Sequence, residues 1–209
     1  TFVDSMERLE NAILPGEGDL SSQLTEFFGT LSDVEASPGD LAPRAAAIEQ
    51  GNGLANAFNV TAFILRDLES QISGTIDQEV NEVNRLLESL GSVNGKLRSS
   101  NLGASPPNAL MDERDRLISE ISQKVRITVD YGPRFDVNIK LGEHSTGPVL
   151  LDGETSYKVQ PIQGDENGVS YKIGSSRVVK TLDDGGLKGL STALSVIQDT
   201  HSQVDVLAT

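Results

Sequence analysis

The sequence predicts an α+β protein, a long helical rod or bundle that carries an inserted small antiparallel β domain. Three observations predict it. Between Asp40 and Arg98 the apolar residues Leu54, Phe58, Ala62, Leu65, Leu68, Ile72, Ile76, Val80, Val83, Leu87, Leu90, Val93 and Leu97 recur at gaps of three or four, the spacing of one face of an α-helix. At Val125 the period falls to two: Val125, Ile127, Val129 and Tyr131 alternate with polar residues, and Phe135, Val137, Ile139 and Leu141 do so again, a hairpin signature. After Gly185-Gly186 the helical spacing returns at Leu187, Leu190, Leu194 and Ile197.

Phe2, Met6, Leu9 and Ile13 predict a first helix over residues 1–14, which Pro15-Gly16 and Gly18 stop. Asp19 or Ser21 caps a second helix carrying Leu20, Leu24, Phe27, Phe28, Leu31 and Val34, and Ser37-Pro38-Gly39 breaks it. Asp40 caps the long helix, with Pro43 in its first turn, where a missing N–H costs little. Unbroken, that helix would be on the order of 90 Å long, far beyond a typical helix of roughly 11 residues. Such a stripe cannot be buried in a compact core, so other helices must lie along it. Gly51 and Gly53, and more weakly Gly74 and Gly91, leave open a kink or the close approach of a neighbouring backbone.

Ser99 to Pro107 reads as a loop. Leu110, Arg114, Leu117, Ile118, Ile121 and Val125 then share one side of a helix that runs back antiparallel along the long one. Beyond the turn Tyr131-Gly132-Pro133-Arg134, further strands are expected at 149–151, 157–161, 169–173 and 177–182, about six strands in all. A return helix runs from Leu187 through Val204 to Leu207. The expected organisation is a discontinuous helical domain, residues 1–125 and 183–209, and a small β-rich domain, residues 126–182.

The 209 residues are 37% hydrophobic, enough for a core. Aromatic content is only 4% with no Trp, which argues against a ligand cavity or a pocketed hot spot. The net charge of −14, with basic residues scattered, argues against nucleic acid or an anionic membrane. The lack of Cys removes disulfides, thiolate metal sites and Cys nucleophiles. There is no apolar run of about 18 residues and no visible signal peptide. Thr1 and the Ala208-Thr209 end read as the limits of a trimmed fragment.

No catalytic, cofactor-binding or metal-binding residue is predicted, and no cofactor. His144 lies in a Gly-rich turn and His201 among polar residues of the last helix, and both read as solvated surface. Asp112-Glu113-Arg114-Asp115-Arg116 is the densest charge cluster. On a helix it gives the pairs Asp112–Arg116 and Arg116–Glu120, with Asp115 able to reach an Arg on a neighbouring helix. Asp152-Gly153-Glu154 and Asp165-Glu166-Asn167-Gly168 lack a calcium-loop pattern and read as ordinary turns. Phosphate-loop, dinucleotide and nucleophile-elbow motifs are not found, so an enzyme is not expected.

Several collinear segments carry a resemblance. They are Leu24-Thr25-Glu26-Phe27-Phe28 with Asp33 and Pro38, RAAAIEQGNGLANAFN at 44–59, VNEVNRLLESLGSVNGKL at 80–97, NALMDERDRLISEISQKVRITV at 108–129, and Gly185-Gly186-Leu187-Lys188-Gly189-Leu190. Together they resemble the hook-associated protein 1 family of the bacterial flagellum, the first of two hook–filament junction proteins. Gly51, Gly53 and Gly91 depart from a pattern that usually has helix formers there.

The resemblance implies a secreted structural protein of bacterial motility, exported unfolded through the flagellar type III apparatus and located in the extracellular flagellum. It implies as partners the hook protein, hook-associated protein 3, and its own copies in a ring-like layer. An export chaperone would bind a C-terminal part beyond residue 209, and terminal helices outside the sequence would form the inner tube. Neither nucleic acid nor membrane insertion is implied. The alternatives are a flagellin-like filament subunit, which would self-polymerise, or a second junction subunit, and an exported coiled-coil adhesin or effector, whose 126–182 unit would bind a host ligand.

Overall fold

The computed structural model describes residues 7, 20–100, 107–144, 146–163, 169–175, 177–179 and 181–208. The fold is α+β. Its elements are α1 (Leu20–Ala36), α2 (Leu41–Ser99), α3 (Asn108–Lys124), strands β1 (Ile127–Tyr131), β2 (Val137–Leu141), β3 (Val149–Asp152), β4 (Thr155–Ser156), β5 (Val159–Gln163), β6 (Val169–Ile173) and β7 (Arg177–Val179), and α4 (Gly186–Leu207). Apart from Glu7, which is helical, the helix expected over residues 1–14 lies outside the described residues, as does the Asp19 cap. Ser21 is inside α1 rather than at its cap.

The chain divides into two compact units. Residues 1–72 and 196–209 form the first, and residues 73–195 the second.

In the first unit α1 ends at Ala36, and the Asp40 amide N–H returns to the Ser37 carbonyl at 3.0 Å. Asp40 Oδ1 then accepts from the Ala42 amide at 3.1 Å, the side-chain cap that the sequence predicts. A Cβ at Gly51 would stand 3.3 Å from the Phe27 ring, and one at Gly53 the same distance from Gln23 Oε1. The glycines thus let α1 lie close, and α2 stays helical through all four of its suspect positions. The buried apolar residues are Leu65, Leu68 and Ile72 of α2 with Ile197 and Val204 of α4. Upstream, Leu54, Phe58 and Ala62 are only half-buried, and α1 buries none of its residues.

In the second unit the α2 stripe continues fully buried through Ile76, Val80, Val83, Leu87, Leu90 and Leu97, together with Leu117, Ile121 and Val125 from the α3 region. Each such side chain contributes about 1.5–3 kcal/mol by leaving water. Lys124 pairs with Glu79, and Glu120 and Arg116 lie within electrostatic reach of Arg85, so α3 runs antiparallel to α2, as expected. Val125 caps α3 already extended, at φ −142° and ψ 146°.

The β region holds seven strands among the described residues, not six, in two antiparallel sheets ordered β1-β2-β3-β4 and β5-β6-β7. In the hairpin Val129 faces Ile139, and β2 turns Val137, Ile139 and Leu141 inward. The two-residue β4 has too short a run to show a period. Phe135, expected in a strand, sits in the turn with φ 64°. β5 starts two residues later than expected and β7 ends at Val179. Gly185, at φ +102°, brings the chain so close to α3 that a Cβ would meet the Lys124 carbonyl at 2.5 Å. Only glycine fits there.

Candidate functional site

The side chains with the most chemical potential are spent on packing. Arg114, in the DERDR segment, is buried. Its Nε donates to Asp115 Oδ1 at 2.7 Å and its Nη1 to the Phe135 carbonyl at 2.7 Å, while its guanidinium lies 5.2 Å from the Tyr131 ring centre. Arg114 therefore pins the β1–β2 turn to α3, and the Asp115 reach to another helix does not form. Arg116 pairs with Glu113 and Glu120, so the expected pair with Glu120 is present. Glu113 takes the place expected for Asp112, because the guanidinium meets a carboxylate three residues back as readily as four. The hydrogen bond from Arg116 holds Glu113 below the usual carboxylate range, and Arg85 does the same to Glu82.

His144 is exposed in the β2–β3 turn. His201 is not the solvated residue the sequence suggests. Its Nδ1 lies 3.0 Å from Glu69 Oε1, and its Nε2 3.8 Å from Asp205. Glu69 is distant in sequence, so only the fold brings that pair together. Asp205, four residues on, was the readable half. Among the described residues no three metal-ligating side chains come together, and no helix is long and apolar enough to cross a membrane. The 165–168 turn lies outside the described residues.

The 152–154 turn does far more than reverse the chain. Its Gly153 carbonyl accepts from Asn94 Nδ2 at 2.6 Å. Asn94 also reads the β2 backbone as a neighbouring strand would: Nδ2 donates to the Val137 carbonyl at 2.7 Å, and Oδ1 accepts the Val137 amide at 3.0 Å. Asn84 clasps Val159 of β5 likewise, with both bonds at 2.8 Å. Both asparagines are buried. Beside them a Cβ on Gly91 would meet the Glu154 carbonyl oxygen at 2.7 Å, so Gly91 marks a close approach of backbone to helix. Two amide clamps and one glycine thus seat both sheets on α2. Sequence reasoning missed the clamps, although Asn94 follows Leu90 by four and precedes Leu97 by three, inside the apolar stripe.

The first unit differs. Leu41 (77% exposed), Ile48 (69%), Phe63 (70%) and Phe28 (61%) stand in solvent. Large apolar side chains grouped on helix faces mark association surfaces more than isolated ones do.

The geometry defines a class first: a helical structural domain with a seated β region, whose polar side chains hold backbone and whose first unit leaves several large apolar side chains of its helices exposed. The family model described as the flagellar hook-associated protein FlgK helical domain matches residues 6–209, and the chain belongs to that family. It is similar to flagellar hook-associated protein 1 of Escherichia coli, 28% identical over 199 residues, 90% of this chain and 36% of that protein. The Bacillus subtilis protein of the same name is 29% identical over 136 residues, 65% of this chain and 27% of that protein. The chain thus spans about a third of the length of such relatives. Among solved structures, the flagellar hook junction protein FlgK from Burkholderia pseudomallei superposes with a TM-score of 0.75 over 92% of this chain and 36% of that one. At 21% identity that likeness shows a shared fold.

Proposed function

We propose that the protein to which this chain belongs is a structural adaptor at the hook–filament junction of the bacterial flagellum, assembled after type III export. The observation that carries the reading is the family match across residues 6–209. The uncovered apolar faces of the first unit support it, because repeated weak seams give a polymeric assembly its avidity. In this reading the partners are the hook protein, hook-associated protein 3 and further copies of the protein in a ring-like layer, with an export chaperone acting on a C-terminal part of the full protein. The protein is extracellular once assembled and performs no catalysis. Residues 1–125 and 183–209 act as the helical domain and residues 126–182 as the β domain.

The test is a strain lacking the full-length gene. The reading predicts normal hooks, filament subunits leaking into the medium and lost motility, all restored by complementation. Filaments that remain attached to the hook would contradict it, and so would missing hooks.

A further inference from the structure

We infer that His201 is an acid-tightened clasp: by taking up a proton it fastens α4 to α2 inside the first unit. The inference stands apart from the junction reading and concerns a side chain which that reading does not use.

The geometry carries it. His201 is largely buried, and both of its ring nitrogens face carboxylates. Nδ1 lies 3.0 Å from Glu69 Oε1 of α2, and Nε2 lies 3.8 Å from Asp205 Oδ2 of α4. An ionised carboxylate only accepts hydrogen bonds, whereas a neutral imidazole has one donor and one acceptor. The neutral ring can therefore serve Glu69 and nothing more. Its Nε2 is then a buried acceptor without a hydrogen-bond partner, and the group nearest to it is a second acceptor. A proton on Nε2 removes that mismatch. Both nitrogens become donors, and the Glu69 bond becomes charge-assisted. Asp205 is exposed, so a side-chain rotation can close its remaining distance to Nε2.

Neighbouring charge favours the same state. The other charged residues within a turn of Glu69 on α2 are Arg66 and Asp67, and within a turn of His201 on α4 there is Asp199. Asp67 accepts from Gln71. Arg66 and Asp199 are exposed, so water and salt screen them. Burial of the ring opposes a charge, and the two carboxylates, one against each nitrogen, outweigh it. The place of the clasp gives it leverage. Ile197, His201 and Val204 follow one another by four and three, on the face of α4 whose apolar members are buried in the first unit. That unit has few buried apolar residues, so one charged tie is a large part of its cohesion. The stabilisation is present where imidazole carries its proton and is lost as pH rises through roughly 5 to 8.

The experiment is amide hydrogen exchange over α4 residues 197–204 in the 209-residue chain, at about pH 5.5 and 7.5 with intrinsic rates divided out. Wild type is compared with H201Q at each pH, which cancels the acid response of the chain's many other carboxylates. The inference predicts that the ratio of wild-type to H201Q protection is at least ~3-fold larger at the acid pH. D205N, at an exposed side chain, should at least halve that gain, and H144Q, at the exposed imidazole, should leave it intact. A gain below ~3-fold would overturn the inference, as would an undiminished gain in D205N or a gain abolished by H144Q. Where H201Q unfolds the chain, the ratio of wild type to D205N takes its place. That ratio must likewise rise toward acid pH, and a flat one would overturn the clasp.

Discussion

The two units of this chain solve the problem of a long amphipathic helix in opposite ways. In the second unit α2 is buried along its apolar stripe, and the buried Asn84 and Asn94 act as surrogate strands. In the first, the same helix has half-buried Leu54 and Phe58 on one side and exposed Ile48 and Phe63 on another. One sequence period therefore serves both an internal core and an outward face. The period alone does not say which, because that depends on which chain segments fold back along each stretch.

The contrast breaks most sharply at Asn94. Asn94→Leu roughly keeps the size and raises the helix propensity but strands the Val137 amide and carbonyl and the Gly153 carbonyl. The expected loss is about 3–5 kcal/mol in urea unfolding. Asn84→Leu, with two bonds at stake, should cost about 2–3 kcal/mol. Gly91→Ala forces the Glu154 carbonyl away from α2 and should cost about 1–3 kcal/mol by the same assay.

Tyr171 sharpens the picture from the alkaline side. Burial raises its phenol above the usual tyrosine range, against a smaller lowering by its hydrogen bond to Ser191. The folded state holds this proton more tightly than the unfolded one. Its stabilising contribution is therefore complete below about pH 10 and is lost as pH rises through the higher folded value. Ultraviolet titration should show one late phenolate, coincident with unfolding and absent in Tyr171→Phe. The smallest effect is expected in the first unit. Ile48→Ser and Phe63→Ser should each change stability by no more than about 0.5 kcal/mol, because both side chains are already in water.

The sequence made much of this legible. The α2 stripe, the Asp40 cap, the antiparallel α3, the β1–β2 hairpin and the restart after Gly185 follow from period and punctuation. The clamps did not, since an asparagine on a helix looks solvated until backbone from 43 and 75 residues away arrives beside it. Gly91 was visible as a departure from helix formers, but its reason, the Glu154 carbonyl, lies in a turn that the sequence presents as ordinary. His201 was misjudged because its nearest partner comes from α2. The division of apolar faces into covered and uncovered was illegible for the same reason: burial belongs to pairs of segments.

The central claim is that the second unit closes its own core while the first leaves helix faces exposed. Amide hydrogen exchange on the isolated 209-residue chain tests it directly. The account predicts that α2 amides over residues 76–97 and those of β2 and β6 exchange at least ~100-fold more slowly than those of α1 and of α2 over residues 44–60. Protection of α1 equal to that of the second unit would contradict it.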